Sequence, residues 1–425
     1  MRRVHLTIAA MLTVVLAVGA PIGSAAGDQS VTVALPPGSS PVSLVVGPGG
    51  TVFAADARSD AVVWASFDPA PRVDRFLPTL GTSPYSVART RDGLVFAANR
   101  DSDDVSRIDT SRFGIPRRIG LGDGAEPWGL ALTPDQSVWV TEIGADRVAR
   151  IDAGSDIVNA TVALPAGTGP KAVVYSRADR RLYVAGSDNG TVLVVDPENG
   201  RLSVVLLPPG ASPRGIVALP DGGALVTDIN LDSVYRIRGT RVTAAIPTAP
   251  GAQPYAVAVL PDGTAYVALY GSRQVGVVAP GSSFISRTIA WPAAPYWITS
   301  ARGRIYTANR DAHSLTRLVP DPTAPRAVTE PVTRRRAHAA TLHARLVSGN
   351  RRASARFVVA RNRGMTRNPR AIVLADVRAF HERDVAKRVR GLRSATRYFV
   401  RVEATNDAGT SFGQVRSFRT RRPAR

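Results

Sequence analysis

Residues 127–152 read Pro127-Trp128-Gly129-Leu130-Ala131-Leu132, then Thr133-Pro134-Asp135, then Val138-Trp139-Val140-Thr141-Glu142, and after a polar turn Arg147-Val148-Ala149-Arg150-Ile151-Asp152. Each run is short, rich in β-branched and aromatic residues, and bounded by Gly, Pro or Asp, the pattern of strands joined by tight turns. A fourth run, Thr161-Val162-Ala163-Leu164-Pro165, completes a four-stranded antiparallel meander. The proline that opens the unit recurs in the same context at Pro41, Pro84, Pro127, Pro170, Pro213, Pro254 and Pro295, at intervals of 43, 43, 43, 43, 41 and 41 residues. The fifth unit repeats the plan with Pro213-Arg214-Gly215-Ile216, Pro220-Asp221-Gly222 and Ala224-Leu225-Val226-Thr227-Asp228. A single sheet of this kind cannot cover both of its apolar faces, so neighbouring units must stack around an axis. A period of about 40–45 residues with four strands is the signature of a β-propeller. No sustained helical periodicity argues for an α-solenoid. The sequence therefore predicts an all-β chain with a seven-bladed β-propeller over residues 27–320.

The ends of the array predict how the ring closes. The last unit has three runs, residues 297–300, 304–309 and 314–319, before a proline-rich stretch. Its fourth strand is missing there. Val31-Thr32-Val33-Ala34-Leu35-Pro36, ahead of the first unit, has the pattern of the outer runs elsewhere, such as Val204-Val205-Leu206-Leu207-Pro208. Residues near 30–37 are expected to supply the outer strand of blade seven, which removes open sheet edges.

The repeat resembles the NHL-type propellers, and more closely the virginiamycin B lyase (streptogramin lyase) group. Repeats of that group read approximately Pro-x-Gly-Ile, Pro-Asp-Gly, Trp-x-Thr-Glu and Ile-x-Arg-Ile. Blade three matches best, in Pro127, Gly129, Pro134-Asp135, Trp139-Val140-Thr141-Glu142 and Arg150-Ile151, and the resemblance covers about 290 residues. It implies the propeller fold. For activity it implies a carbon–oxygen lyase acting by elimination on cyclic depsipeptides, with histidine as general base and glutamates helping to hold Mg²⁺. Between residues 27 and 325 this chain has one histidine, His313, and three glutamates, Glu126, Glu142 and Glu198. At the later-blade positions where the group would place its histidines and glutamates stand Leu269, Tyr270 and Gln274. A lyase reading would therefore rest on His313 and Glu142 as catalytic residues. The sequence leans toward a protein without catalysis and without a cofactor.

Charge divides the chain in two. The formal net charge is +21, yet residues 27–325 hold 27 basic and 27 acidic residues, while residues 326–425 hold 25 basic and 6 acidic. Residues 1–26 combine Arg2-Arg3, an apolar stretch from Leu6 to Gly19 and Ser24-Ala25-Ala26, the layout of a cleaved export signal. The expectation is a secreted or cell-envelope protein with no membrane span after cleavage. Cysteine is absent, which removes disulfides, thiolate metal sites and cysteine nucleophiles. Residues 321–334 contain Pro322, Pro325 and Pro331 and are predicted to be a linker. Residues 335–421 are predicted to form a second domain. Its stretch from Gly391 to Gly409 resembles the late strands of a fibronectin type III module, in which a tyrosine, here Tyr398, bonds back to the backbone. At this charge the module is expected to attract anionic cell-envelope polymers. It has too little aromatic interleaving for sequence-specific nucleic-acid recognition.

Candidate binding residues follow from the repeat. The residue after each proline is expected to ring one mouth of the channel: Val42, Tyr85, Trp128, Lys171, Arg214, Tyr255 and Tyr296, with Trp297 beside them. The loops after the second strands add Asp56, Asn99, Glu142, Asp228 and Asn309. Aromatic surface with a few polar groups suits a small molecule, a glycan or a protein partner. The reading favoured is a monomeric binding or scaffold protein. Its alternatives are a lyase with a degenerate site or, by association alone, a polysaccharide-acting protein. His-Glu-x-x-His and Gly-Lys-Ser/Thr motifs are absent. Asp101-Ser102-Asp103-Asp104 lacks the glycine and final glutamate of a calcium loop.

Overall fold

The computed structural model describes residues 29–112, 115–321, 324–349, 351–379 and 382–423. The predicted export signal, residues 1–26, lies outside the described residues. Alternating β-branched and apolar residues give an all-β chain, and among the described residues the repeat region folds into seven four-stranded antiparallel sheets. Numbered by their inner strands, sheets one to seven begin at Pro41, Pro84, Pro127, Pro170, Pro213, Pro254 and Trp297. The inner strand of each sheet packs on that of the next, and Trp297–Ala301 packs on Pro41–Val46, so the series is circular.

Burial falls from the axis outward. The second strand of sheet three, Val138–Glu142, is buried along its whole length, whereas the outer strand Ile157–Ala163 is mostly exposed. That gradient explains why second strands read as continuous apolar runs and outer strands do not: a strand covered on both faces has no solvent side to mark with polar residues. The interfaces between sheets are filled by Val, Leu, Ala and aromatic side chains, for example Phe96, Val105, Val138, Val140 and Ile151 between sheets two and three.

The ring's seam is made by the N-terminal segment. Gln29–Ala34 pairs antiparallel with Ser314–Val319, in register from Gln29 opposite Val319 to Ala34 opposite Ser314. Val33 and Leu35 are buried against Leu315 and Tyr306. The Leu35 N–H donates to the His313 carbonyl at 2.7 Å. Leu121, Leu164, Leu207 and Trp291 make the corresponding bond, to the carbonyls of Asp103, Asp146, Gly190 and Arg273. All five acceptor residues have positive φ. The seam therefore repeats the geometry of the other sheets.

The basic region adds two facing sheets. One holds Arg326–Thr329, Ala339–Val347 and Glu382–Arg390; the other holds Ser354–Ala360, Arg370–Val373, Arg397–Asn406 and Gly409–Phe412, with Arg416–Arg419 also paired to Arg397–Asn406. Leu342, Phe357, Val400, Val402 and Phe418 fill the space between them. Arg326–Thr329 lies inside the stretch expected to be linker. Its alternating exposure, with Ala327 and Thr329 inward, gives it a buried face that a linker lacks. The Tyr398 hydroxyl accepts a 2.8 Å hydrogen bond from the Arg393 N–H, turning the chain into its long strand.

Candidate functional site

One local feature aims the side chains at the channel mouth. In sheets one to six the ladder between inner and second strands slips just after the proline: Pro84 pairs with Asn99 but Ser86 with Ala98, leaving Tyr85 unpaired. The same happens at Val42, at Trp128-Gly129, at Lys171-Ala172, at Arg214-Gly215 and at Tyr255. Such bulges turn a side chain out of the sheet plane. In two sheets a glycine makes room. A Cβ on Gly129 would lie 2.4 Å from the Lys171 carbonyl oxygen, and one on Gly215 would lie 2.6 Å from Ala256 Cα. There Thr141 and Thr227 accept the glycine N–H, at 2.8 and 2.9 Å, and donate to the Lys171 and Tyr255 carbonyls of the next sheet. In these two sheets the glycine and threonine tie the bulge to the neighbouring sheet.

The bulge residues meet. Tyr85 and Trp128 have ring centroids 4.3 Å apart, and Tyr255 and Tyr296 are 4.2 Å apart with their hydroxyls joined at 2.7 Å. Cations lie against these rings. Arg100 is over both Tyr85 (5.6 Å) and Trp128 (5.4 Å), and Lys171 is over Trp128 (5.8 Å). Arg214 is over Tyr255 (5.7 Å) and Arg310 over Tyr296 (5.2 Å). Contacts of this kind hold a cation without cancelling its charge. Arg100 pairs with Glu126 at 3.1 Å, and Lys171 reaches Asp188 at 3.3 Å and Ser187 at 3.0 Å. Burial lowers the Lys171 pKa, and neighbouring Arg214 adds to the effect. Burial raises that of Tyr296, with Tyr255 contributing. Tyr270 packs on both tyrosines at 5.8 and 5.9 Å. Its hydroxyl donates to Asp311, a bond that pushes its pKa up to about 12.

Trp297 does something other than border the mouth. It belongs to sheet seven, yet it packs against the apolar clusters of sheets four and five as well as those of its own neighbours. A side chain that reaches both lies across the channel, so Trp297 floors the mouth. Beyond it the inner strands line a cavity of about 310 Å³.

The residues expected from the second loops are not at the mouth. Asp56, Asn99, Glu142, Asp228 and Asn309 are fully buried. Asp56 accepts the Ser40 and Arg58 N–H groups, and Asp228 those of Ser212, Asn230 and Leu231. Asn99 donates to Asp104 and Ser106, and Asn309 to Ser314 and Thr316. Glu142 accepts from Arg147 at 2.6 Å, and burial still raises its pKa. Polar groups removed from water need partners: the two aspartates satisfy turn backbone, and the asparagines and Glu142 bond neighbouring side chains.

His313 is also a turn residue. It occupies the positive-φ position held elsewhere by Asp60, Asp103, Asp146 and Asp232. Those aspartates accept N–H groups from the entry loop of the next sheet, as Asp103 does from Gly124 and Glu126, both at 2.8 Å. His313 reaches across the seam instead, its Nδ1 donating to the Ser39 carbonyl. Glu126 and Glu142 hold different arginines and do not form an acid–base pair. The acidic loop is spent likewise, with Asp104 buried against Arg118 at 2.7 Å. Among the described residues no three His, Asp or Glu side chains gather as metal ligands. The lysine, arginines and phenols of the mouth do not fit Mg²⁺, which takes carboxylates.

Arg100, Arg310 and Tyr270 were not anticipated as mouth residues. Arg100 and Arg310 are the first residues after the second strands of sheets two and seven. Their one signal in the sequence is that shared place in the repeat.

A ring of four-stranded β-meanders about a channel is the architecture of a β-propeller. The chain belongs to the virginiamycin B lyase family, whose model matches residues 32–318. Solved structures similar to it include a catalytically inactive histidine-to-alanine variant of virginiamycin B lyase from Staphylococcus aureus with quinupristin. It has 18% identity and a TM-score of 0.61, covering 69% of this chain and 99% of that one. A streptogramin B lyase structure has 18% identity and a TM-score of 0.62, over 68% and 97%. Hydrazine synthase from Kuenenia stuttgartiensis has 20% identity and a TM-score of 0.59, over 67% and 95%. At these identities the likeness concerns the fold. No curated protein sequence matches the chain. Among the described residues no helix is long and apolar enough to cross a membrane.

Proposed function

We propose that this chain is an exported binding protein: a seven-bladed propeller that holds a ligand in the cup above Trp297, followed by a fibronectin type III-like sandwich that keeps it near anionic cell-envelope polymers. The observation that carries the reading is the closed arrangement of Tyr85, Trp128, Tyr255 and Tyr296 with Arg100, Lys171, Arg214 and Arg310. It offers stacking surface and charge, and it holds no histidine. The sandwich supports the second half. Among its described residues ion pairs engage Asp376, Asp384, Glu403 and Asp407, and with 25 basic and 6 acidic residues over 326–425 its positive charge far exceeds what carboxylates can offset.

Family membership favours a second reading, a lyase acting on cyclic depsipeptides. Its residues here would be His313 and Glu142, and both are engaged, His313 with the Ser39 carbonyl and Glu142 with Arg147. One experiment separates the two. A glycan and metabolite binding screen is run on wild-type chain and on Trp128→Ala, alongside quinupristin turnover with Mg²⁺ for wild type and His313→Ala. Binding that Trp128→Ala abolishes, with the quinupristin ring left closed, supports the binder. Mg²⁺-dependent ring opening that His313→Ala removes overturns it in favour of the lyase.

A further inference from the structure

Two of the four cations at the mouth form no ion pair among the described residues, Asp311 acting on Arg310 through space alone. Arg100 has Glu126 and Lys171 has Asp188. Among the described residues Arg214 and Arg310 form no ion pair, and the Arg214 Nε is buried without a hydrogen-bond partner. They flank one tyrosine pair, Arg214 against Tyr255 and Arg310 against Tyr296. The third carboxylate nearby, Asp311, accepts the Tyr270 hydroxyl. Lys171 and Arg214 also repel each other, which is part of why the Lys171 pKa falls. An unpaired guanidinium in a half-buried cup is costly to keep unless something acidic arrives to share it. Its planar fork fits a carboxylate through two parallel hydrogen bonds.

We propose that the cup binds a compact organic polycarboxylate with a flat apolar face, two of its carboxylates engaging Arg214 and Arg310 and its body lying on the Tyr255–Tyr296 pair. This rests on the reading of the mouth as a binding site and names the ligand's chemistry. A carboxylated sugar and an aromatic polyacid share that chemistry. A neutral cyclic peptide does not.

The test is calorimetric titration of the full chain at low salt with trigalacturonate, its methyl ester, and benzene-1,3,5-tricarboxylate. Either acid should bind while the ester does not, and a winner between the acids says whether the flat face is sugar or arene. Arg214→Gln and Arg310→Gln should each weaken binding about tenfold, the loss of roughly one charge-assisted contact. Arg214→Lys, which keeps the charge but loses the fork, should fall between. A thermal melt of each variant establishes that it folds. Ester binding as tight as acid, unmoved by either Gln variant, overturns the inference and leaves the mouth as a site for neutral ligands. Absence of heat from both acids also overturns it; the reading of the mouth itself stands or falls on the Trp128→Ala screen.

Discussion

Leu35→Ala measures whether the N-terminal strand closes the ring in solution. Leu35 is 7% exposed and packs with Val33, Leu315 and Tyr306. Leu164 has the same place in sheet three and is 8% exposed, while Leu206, on the outer strand of sheet four, is 75% exposed. Truncating a buried leucine costs about 2–5 kcal/mol, the removed methyl groups plus the cavity they leave. In a domain of this size about 1 kcal/mol moves the melting point by roughly 2–4 °C. Leu35→Ala should therefore lower the melting temperature of the propeller transition by about 5 °C or more, to the same degree as Leu164→Ala. Leu206→Ala should leave it nearly unchanged. The assay is differential scanning calorimetry of the full chain. If Leu35→Ala behaves like Leu206→Ala, the strand is not docked and the closed ring is wrong.

Two further outcomes follow from contacts between neighbouring sheets. Gly215→Ala puts a Cβ 2.6 Å from Ala256 Cα and 2.7 Å from the Tyr255 carbonyl oxygen, whereas the same change at Gly120 meets nothing within 4 Å. The first should cost about 1–3 kcal/mol in urea unfolding by overpacking and the second should be near neutral; equal midpoints would refute the bulge geometry. Asp179 accepts hydrogen bonds from the Gly223 N–H, Ser176 and Tyr183 of its surroundings. Burial opposes its charge, but those bonds outweigh it and hold its pKa below the ordinary 3.8. A depressed carboxyl pKa contributes stability that is complete above the unfolded value and lost as pH falls through the folded one. Asp179→Asn should thus lower the melting point by a few degrees at neutral pH, roughly the worth of one hydrogen bond. The gap between variant and wild type should shrink as pH drops below 3.8. A gap that holds at all acidic pH values would count against the ionised acceptor.

The sequence alone carried the strand pattern, the spacing of the prolines and the position of the bulge residues, because period and turn chemistry are local. Residues 127–132 announce an inner strand whatever surrounds them, and the same reading picked out Tyr85, Trp128, Lys171, Arg214, Tyr255 and Tyr296. It misplaced Asp56, Asn99, Glu142, Asp228 and Asn309. A polar residue at a strand end looks alike whether it faces solvent or caps a buried turn, and only the packed neighbours distinguish the two. It also read a linker where Arg326–Thr329 forms a strand, since its partner, Ala339–Val347, is what gives that short run a buried face. His313 is the one histidine of residues 27–325; its equivalence to Asp103 and Asp146 is set by the ring, which gives the three the same place in corresponding loops. Which cations gather, which of them form ion pairs, and that Trp297 crosses the channel depend on residues far apart in the chain brought to one axis. Local rules fix the sheets. Closure of the ring decides what they enclose.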